Sequence, residues 1–375
     1  MLKAIKFRLY PNSDQRDFFD RSFGCSRLVY NIGLAYRKEQ YESGNKVGYK
    51  QTSALLTTLK HTDEYAFLND VDSISLQQSL RHLDDAYKRF FRKEGKYPKF
   101  KSKHKSRLSY TTLNQGGNIR IVGKYIKLPK VGYVKVKQSK DIGKIHSCTI
   151  SKSPSGKYFV SVLYEEEQVV LPYIDKQIGI DLGLSHYLTT SDGKKVSNPR
   201  HLEKAQKKLT REQRRLSRKT LVAKKEGRNL ADSKNYQKQR IKVARCHEKV
   251  VNQRNDFLHK LSIRLIHENQ VIAIENLRSS GMMKNHKLAR SIGSVSWDRF
   301  TTMLTYKAEW YGRSVIKVDS FFPSSQLCSV CGEKNPMVKD LFVRKWECPH
   351  CASIHDRDIN AAVNILNEAK RLVAS

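Results

Sequence analysis

The sequence predicts an α/β fold combined with a small β-barrel and a helical insertion. Short runs of alternating apolar and polar residues, separated by glycine turns, follow one another from residue 108 to 170, which is typical of antiparallel strands. Continuous apolar runs at 177–183 and 270–277 are typical of buried strands. Helical apolar periodicity dominates residues 11–104. These three patterns together favour a strand-rich part, a helical part and a mixed α/β part.

Charge is the dominant feature of the composition. The 375 residues are enough for two or three domains, and they include 71 Lys and Arg against 36 Asp and Glu, a net charge of +35. This excess favours a polyanionic partner, of which nucleic acid is the commonest and a membrane surface the alternative. Because no apolar run is long enough to cross a bilayer and no signal peptide is evident, we expect an intracellular protein without a membrane partner. Its Cys25, Cys148 and Cys246 should then be reduced thiols.

The N-terminal half is predicted to begin with a strand at residues 1–10, which Pro11 ends. Ser13 is the predicted N-cap of a helix extending to Ser43. Apolar periodicity predicts two more helices, at 50–59 and 73–91, before a basic connector at 96–107. The strands predicted after the connector are 118–122, 125–128, 133–136, 146–151 and 158–165.

Pro172 begins the second half. Asp192-Gly193 has the composition of a hairpin turn between two of the predicted strands. Residues 278–293 show no clear period and are predicted to form a loop over the active site. The predicted strands are 178–182, 187–190, 195–197, one beginning at 271, and 313–318, with a helix at 297–311.

Residues 200–254 contain nineteen Lys or Arg against five Asp or Glu on a helix-forming background. A solvated helical arm could carry such a run, but the excess is too one-sided for salt bridges four residues apart to balance. We therefore predict a groove wall that contacts phosphates. The candidate nucleic-acid-binding residues there are Lys207, Arg211, Arg214, Arg215 and Arg218.

Two C-x-x-C pairs predict a metal site near the C-terminus. They are Cys328 with Cys331 and Cys348 with Cys351. This spacing can place four thiolates around one tetrahedral Zn²⁺, although two disulfides or four unligated thiols would fit the same residues. Reducing conditions favour the metal. Four sulfur ligands leave no open position, so the zinc would be structural.

Three acidic residues stand in unusual positions. Asp181 and Glu275 each interrupt an apolar run that predicts a buried strand. A carboxylate there is unfavourable unless it is paired or bound to a metal. Asp358 stands where the helical pattern of the C-terminal segment begins, and a cap is its simpler explanation. Two strand-borne acids and one helix-borne acid could nevertheless hold two divalent ions.

These motifs, in this order, resemble one known family. Ile-Gly-Ile-Asp-Leu-Gly at 178–183, Ile-Glu-Asn-Leu at 274–277, the four-cysteine ribbon and His-Asp-Arg-Asp-Ile-Asn-Ala-Ala at 355–362 are similar to the TnpB proteins of insertion sequences. The opening Lys-Phe-Arg-Leu-Tyr-Pro-Asn at 6–12 is also similar. The resemblance covers nearly the whole chain. It implies an RNase H-like (RuvC) nuclease domain at 172–322 and 354–375, split by a zinc ribbon at 323–353. It also implies a wedge-like β-barrel at 1–10 and 105–171 with a helical recognition insertion at 11–104.

The resemblance further implies an RNA-guided DNA endonuclease that uses two-metal hydrolysis. Its partners would be a guide RNA from the element's own locus and double-stranded target DNA. The protein would be a monomer with its RNA, in the prokaryotic cytoplasm near the nucleoid. Asp181 would bridge two Mg²⁺ ions, with Mn²⁺ as a substitute, and Glu275 and Asp358 would complete one ion each, ahead of Asp356 as the alternative. An idle RNA-guided DNA-binding or transposition-accessory protein, and a RuvC-like nuclease without a guide, are the competing hypotheses.

Other residues carry less certain assignments. Gln77 and Thr112 are predicted to read bases of a short motif beside the target. His355 and Arg357 could face the phosphate, or could form hydrogen bonds within the turn between ribbon and helix. Ala352 stands where the family usually has glycine, which makes a positive φ less favourable there.

Overall fold

The computed structural model describes residues 1–374, apart from the side chains of Ser280 and Lys287. Ser375, the last residue of the predicted 354–375 segment, lies outside the described residues. The chain divides into two compact units, Met1–Glu167 and Gln168–Ser375.

The first unit begins with a strand, continues with helices and ends with further strands. The strand predicted at 1–10 and the helices predicted at 50–59 and 73–91 are confirmed. These elements are β1 (Leu2–Tyr10), α1 (Ser13–Glu42), α2 (Tyr49–Lys60), α3 (Ser73–Phe91), β2 (Leu108–Leu113), β3 (Arg120–Val122), β4 (Tyr125–Leu128), β5 (Gly132–Lys137), β6 (Ile145–Lys152) and β7 (Tyr158–Glu165).

The predicted N-cap of α1 is wrong by one residue. Asn12 has extended backbone, and its side-chain oxygen accepts a hydrogen bond from the Gln15 N–H at 2.9 Å. The Gln15 side chain accepts from the Asn12 N–H in return, at 3.2 Å. This reciprocal pair is a capping box. Ser13 is the first helical residue, so Asn12 is the N-cap.

The strands of the first unit form a curled antiparallel sheet in the order β2-β6-β7-β1-β5-β4-β3. β1 lies in the middle, paired with β7 through Leu2 to Leu9 and with β5 through Arg8 to Tyr10. Helices α1 to α3 are therefore an insertion between two strands of one sheet. Phe19 of α1 packs against the rings of Tyr110 and Tyr158, at centroid distances of 6.3 and 5.8 Å, and joins the insertion to the core. Closure of the sheet into a barrel stays a prediction.

The second unit contains a mixed sheet with long helices. Its predicted strands and its helix at 297–311 are confirmed to within two residues. The elements are β8 (Gln177–Leu182), β9 (His186–Thr190), β10 (Lys195–Ser197), α4 (His201–Lys225), α5 (Lys234–Glu268), β11 (Val271–Glu275), α6 (Ser279–Met282), α7 (His286–Val295), α8 (Trp297–Tyr311), β12 (Ser314–Val318), β13 (Lys345–Glu347), β14 (Ile354–Asp356) and α9 (Arg357–Ala374).

The sheet of the second unit has the order β10-β9-β8-β11-β12. β8, β11 and β12 are parallel, whereas β9 and β10 are antiparallel to their neighbours. Residues from β8, β9 and β11 share one hydrophobic core with α5 and α8, and α9 packs with Ala273 and Val318 in a second cluster. The small β13–β14 hairpin lies between β12 and α9 in sequence.

The prediction of a loop at 278–293 is wrong, because α6 and α7 cover most of it. Ile292 and Val295, three residues apart, are buried in the core of the second unit. Polar neighbours hide this short apolar spacing in the sequence.

None of the helices within residues 1–374 is both long and apolar enough to cross a membrane.

Candidate functional site

Four cysteines beside the β13–β14 hairpin, near the C-terminus, form a compact cluster. The Sγ atoms of Cys328, Cys331, Cys348 and Cys351 all lie within 4.8 Å of one another. The pairs 328–351 and 331–348 are each 3.6 Å apart. Four sulfurs at about 2.3 Å from a tetrahedral Zn²⁺ would be separated by roughly 3.8 Å. The donor set and its spacing therefore fit one zinc ion with four protein ligands.

The two halves of the cluster have the same backbone arrangement. The Cys328 N–H donates to the Glu333 carbonyl at 2.8 Å, and the Cys348 N–H donates to the Ser353 carbonyl at 2.9 Å. Each turn also contains one residue with positive φ, Gly332 at 79° and Ala352 at 56°. Ala352 thus adopts a positive φ at a position where glycine would be the more favourable residue. Alanine has a steric penalty in that region that glycine does not have.

His355 belongs to this cluster and not to the carboxylates. Its Nε2 lies 3.1 Å from Cys328 Sγ. Its ring packs on Trp346 at a centroid distance of 4.7 Å, across the β13–β14 pair. With its proton on Nε2, the ring would donate to the Cys328 thiolate and fix its orientation. Of the two roles considered for His355, the arrangement supports the structural one.

Asp181 and Glu275 stand at the same level on adjacent strands. Ile180 of β8 pairs with Ile274 of β11 in parallel register, and each acid is the next residue of its strand. Side chains at matching positions of parallel neighbours point to the same side of the sheet. Ser324 donates a hydrogen bond from its Oγ to Glu275 Oε1 at 2.5 Å.

Helix α9 contacts β8 directly. A Cβ added to Gly179 would overlap the Ala362 carbonyl oxygen and would lie 2.9 Å from Leu366 Cβ. Asp358 precedes Ala362 by four helical residues, which is about 6 Å along the helix axis. Asp181 follows Gly179 by two strand residues, which is also about 6 Å along the strand. The Asp358 carboxylate is close enough to raise the pKa of Asp181, so the first turn of α9 lies near the carboxyl end of β8.

The pKa of Asp181 is raised to about 8, first by burial and then by the nearby Glu275 and Asp358 carboxylates, with Arg357 and Arg344 opposing the shift. Burial also raises the pKa of Glu275, and the hydrogen bond from Ser324 opposes it in part. Carboxylates held together in this way are repulsive when ionised. A divalent cation among them would relieve the repulsion, and oxygen donors suit Mg²⁺.

Asp356 has a different role from Asp358. Its Oδ1 accepts hydrogen bonds from the N–H groups of Asp358 and Ile359, both at 3.2 Å, and its Oδ2 pairs with Lys195 Nζ at 2.7 Å. Burial alone would raise the pKa of Asp356, but these hydrogen bonds outweigh burial, so the pKa lies below its ordinary value. Asp356 therefore caps α9, and Asp358 is the carboxylate whose charge acts on Asp181.

Sequence reasoning missed the two asparagines that join α9 to the start of the ribbon. Asn360 Nδ2 donates to the Leu327 carbonyl at 2.7 Å, and its Oδ1 accepts from the Ser329 N–H at 2.9 Å. Asn364 Nδ2 donates to the carbonyls of Ser324 and Leu327, at 2.8 and 2.7 Å. Two amides four residues apart on an otherwise apolar helix face were the available signal.

Two arginines lie near the carboxylates. Arg344, which sequence reasoning did not single out, places Nη1 3.4 Å from Asp358 Oδ1 and is 57% exposed at its side chain. Arg357 is 8% exposed and donates from Nη1 to the Asp340 carbonyl at 2.8 Å. Of the two, Arg344 is accessible to a bound phosphate, whereas Arg357 is engaged within the turn.

The predicted basic residues of α4, Lys207, Arg211, Arg214, Arg215 and Arg218, are all exposed. Arg211 and Arg215 contact the buried Glu212 at 3.5 and 3.4 Å. The groove between α4 and α5 has Glu212 as the one carboxylate among its described lining residues. Lys204, Lys208, Lys242, Arg245 and Lys249 add to its positive charge.

The two predicted base-reading residues of the first unit differ in accessibility. Gln77 is exposed on α3. Thr112 is 0% exposed, because it lies on the core-facing side of β2, paired with Cys148 of β6. Its assignment as a base-reading residue is wrong, since a hydroxyl enclosed in a sheet cannot meet a base edge.

Three family models match parts of the chain. OrfB_IS605, described as "Probable transposase", matches residues 160–286, and a helix-turn-helix model of the same group, HTH_OrfB_IS605, matches 1–46. The Cas12f1-like TNB domain model matches 297–365, which includes the four cysteines and Asp358. The models place the chain in the class of OrfB proteins of insertion sequences.

Full-length relatives narrow this class. A Streptomyces pristinaespiralis protein named "Putative RNA-guided DNA endonuclease" is 40% identical over 97% of this chain and 88% of its own length. InsQ of Escherichia coli K12, which has the same description, is 33% identical over 100% of this chain and 94% of its own. TnpB-like protein L770 of Acanthamoeba polyphaga mimivirus is 25% identical over 97% of this chain and 73% of its own length. The chain belongs to the TnpB family.

A solved structure agrees with this placement at the level of fold. The Cas12f1 chain of a complex with sgRNA and target DNA aligns with a TM-score of 0.55, over 98% of this chain and 99% of that chain, at 14% identity. The two proteins share a fold.

Proposed function

We propose that this chain is an RNA-guided, divalent-metal-dependent DNA endonuclease of an insertion sequence. The observation that carries the proposal is the convergence of Asp181, Glu275 and Asp358 at one end of the second unit's sheet, from two parallel strands and the first turn of α9. A half-buried carboxyl group whose pKa is raised by desolvation and then by two neighbouring carboxylates marks a site suited to cations.

The topology of the second unit supports an RNase H-like, RuvC-type assignment. An antiparallel β10-β9-β8 part continues into parallel β11 and β12, and acids stand at the carboxyl ends of the adjacent strands β8 and β11. We assign residues 172–322 and 354–375 to this nuclease domain and 323–353 to the zinc ribbon. In the first unit we assign 1–10 and 105–171 to a wedge-like domain and 11–104 to a recognition insertion.

Mg²⁺ bound to these carboxylates would supply an activated water and a stabilised leaving oxygen for phosphodiester hydrolysis. Asp181, which interacts with both Glu275 and Asp358, is the ligand we assign to both ions. Ser324 holds the Glu275 carboxylate in place, and Arg344 is placed to contact a phosphate oxygen beside Asp358.

The cysteine cluster would act as a structural clamp for Asp358. A zinc held by four sulfurs has no open position for water. It would fix the ribbon, whose first residues are tied to α9 through Asn360 and Asn364, and so fix the helix start that carries Asp358.

Two relatives named as RNA-guided DNA endonucleases support a guide RNA and a DNA target as the partners of this chain. The net charge of +35 is consistent with two polyanionic partners. The α4–α5 groove offers exposed cations for their phosphates.

The test is to purify the protein from its native locus, sequence the RNA that co-purifies, and assay cleavage of matching DNA with Mg²⁺. We expect cleavage by the wild type and by Asp175→Asn, an exposed acid just before β8. We expect no cleavage by Asp181→Asn, with nucleic-acid affinity retained. Cleavage by Asp181→Asn would reject the assigned site, and an inactive wild type with bound RNA would favour an idle DNA-binding protein.

A further inference from the structure

The outward face of the first unit's sheet carries exposed tyrosines that the nuclease site does not use. Tyr10, Tyr125 and Tyr133 are 49%, 47% and 48% exposed. Their sequence neighbours on the strands, such as Ile126 and Val134, are 0% exposed and point into the core. Alternate residues of a strand face opposite sides of the sheet, so the tyrosines all lie on the solvent side.

Strand pairing places a basic residue beside each ring. Tyr10 on β1 and Tyr125 on β4 both pair with Lys135, on the β5 strand between them. Residues directly opposite in an antiparallel pair have Cβ atoms about 4.5–5.5 Å apart. The result is a row in which a lysine separates two tyrosines.

A second row lies beside the first. Tyr133 on β5 and Arg120 on β3 both pair with Lys127 on β4. Arg120 Nη2 also donates to Tyr133 Oη at 3.5 Å. The two rows together make the tyrosine–lysine face, which consists of Tyr10, Arg120, Tyr125, Lys127, Tyr133 and Lys135.

The edge of this face continues into a groove of about 720 Å³. Clefts that bind small molecules measure roughly 300–1,000 Å³, so the groove has room for a nucleotide. Its one carboxylate among the described lining residues, Asp141, accepts a hydrogen bond from Gln138 at 3.2 Å. The cations lining it are Lys124, Lys135, Lys137 and Lys140.

Rings and cations in alternation suit one kind of ligand. A nucleic acid strand with unpaired bases offers a flat π-face and a phosphate in each nucleotide, which match a tyrosine and a lysine respectively. A double helix keeps its bases stacked on one another and presents mainly phosphates and sugar hydroxyls. The guanidinium of Arg8 lies 5.4 Å from the centroid of the Tyr10 ring and adds a further cation at this end of the face. The exposed rings of Tyr125 and Tyr133 are the ones best placed to stack on bases.

We propose that the tyrosine–lysine face binds unpaired nucleotides of the guide RNA, with bases stacked on the tyrosines and phosphates beside the basic side chains. This inference rests on the proposed function, because it names the part of the RNA that this surface takes. It makes the face selective for single-stranded over double-stranded RNA.

The test uses the full chain, a labelled single-stranded RNA of mixed sequence about 12 nucleotides long, within the roughly 4–16 nucleotides typical of single-strand sites, and the same strand annealed to its complement. Unlabelled duplex RNA in excess occupies the sites that recognise phosphates alone. Fluorescence anisotropy should show that Tyr125→Thr combined with Tyr133→Thr weakens single-strand binding at least about tenfold, the size expected for loss of stacking. Duplex binding and the salt dependence should not change.

Matched variants make the test specific. Thr keeps strand propensity, and thermal unfolding confirms that the double variant is folded. Tyr125→Phe with Tyr133→Phe keeps the rings and should bind as the wild type does. Tyr173→Thr removes a tyrosine that is 73% exposed outside the face and should have no effect. Lys135→Gln should weaken single-strand binding, leave duplex binding unchanged, and lower the salt slope on the single strand by about 0.7.

The inference is overturned if the Thr double variant binds the single strand as well as the wild type does, or loses single-strand and duplex binding equally. Its failure is separable from failure of the proposed function. If the wild type binds RNA and cuts DNA, and the Thr double variant binds single-stranded RNA equally well, only the role of the tyrosine–lysine face is rejected. A wild type that binds no RNA would reject both.

Discussion

Gly179 of β8 lies against the Ala362 carbonyl of α9, with no room between them for a side chain. Leu366 of the same helix would lie 2.9 Å from a Cβ at position 179. This close approach of backbone to backbone sets the distance between the strand that carries Asp181 and the helix that carries Asp358. The glycine is therefore part of the site, although it contributes no chemistry.

Gly179→Ala should destabilise the second unit and impair cleavage together. The added methyl group meets backbone, so α9 must move, and overpacking of this kind costs about 3 kcal/mol. Thermal unfolding and a cleavage assay measure the two effects. Gly293→Ala on α7 is the control, because its Cβ would meet only Met283 Sδ at 3.8 Å. Full cleavage by Gly179→Ala would show that α9 can shift without consequence.

Asp181 should make the magnesium-free protein less stable as the pH rises. Its pKa is raised from 3.8 to about 8, chiefly by burial and then by Glu275 and Asp358. Because the folded protein binds this proton more tightly than the unfolded chain does, protonated Asp181 stabilises the fold. This contribution is complete below about pH 4 and is lost as the pH rises through the folded-state pKa. Without magnesium, the thermal unfolding midpoint should therefore decrease between pH 4 and pH 8, and it should decrease more steeply in the wild type than in Asp181→Asn.

Added Mg²⁺ should restore the wild-type midpoint at pH 8 and have little effect on Asp181→Asn, because the cation replaces the proton as partner of the carboxylates. Parallel pH profiles of the two proteins, with equal responses to Mg²⁺, would contradict the assigned electrostatics.

Asp356→Ala and Asp358→Ala should separate stability from activity. Loss of the Asp356 cap and its Lys195 pair should lower the free energy of unfolding by about 1–2 kcal/mol, with cleavage retained at low temperature. Asp358→Ala should abolish cleavage without lowering stability, because it relieves repulsion with Asp181. Chemical denaturation and cleavage rates test this pair of variants. If Asp356→Ala abolished cleavage and Asp358→Ala only lowered stability, Asp356 would be the metal ligand.

Ala352→Gly should stabilise the cysteine cluster. Alanine at a φ of 56° carries a steric cost of about 1 kcal/mol that glycine avoids. The reciprocal change, Gly332→Ala, is the matched control, because Gly332 has a φ of 79° and open space around its Cβ. It should destabilise by a similar amount. Resistance of the zinc to a chelator measures both, and equal behaviour of the two variants would show that the φ angles do not matter.

Replacing Lys207, Arg211, Arg214, Arg215 and Arg218 with Gln should flatten the salt dependence of duplex DNA binding. Each phosphate that the variant no longer neutralises reduces the slope of log K against log salt by about 0.9. Binding titrations at several salt concentrations measure it. An unchanged slope would show that this exposed run is only a solvated helix face.

Much of this organisation is predictable from local pattern. The strands around Asp181 and Glu275 were predictable because their apolar runs are unbroken apart from the acid, and the helix at 73–91 because its apolar spacing is regular. The cysteine spacing predicted one cluster, and its sulfurs lie within 4.8 Å of one another. In each case the signal lies within a few consecutive residues.

Other features depended on contacts between residues far apart in sequence. Thr112 and Gln77 look alike as polar candidates, and only strand pairing shows that Thr112 faces the core. Asp356 and Asp358 are two residues apart, and only the position of Lys195 and the start of α9 distinguish the cap from the candidate ligand.

The sequence by itself determined the candidate acids, the four thiols, the basic run and the family to which the chain is similar, because residue type and spacing specify which chemistry is possible. Only the tertiary structure decided how these parts meet. Strand register sets Asp181 beside Glu275. Gly179 lets α9 pack closely against β8 because it has no side chain. The Asn360 and Asn364 amides bond the ribbon to that helix. The tyrosine–lysine face likewise exists only through pairing of β1, β3, β4 and β5, since its members are up to 125 positions apart in the chain and no local pattern joins them.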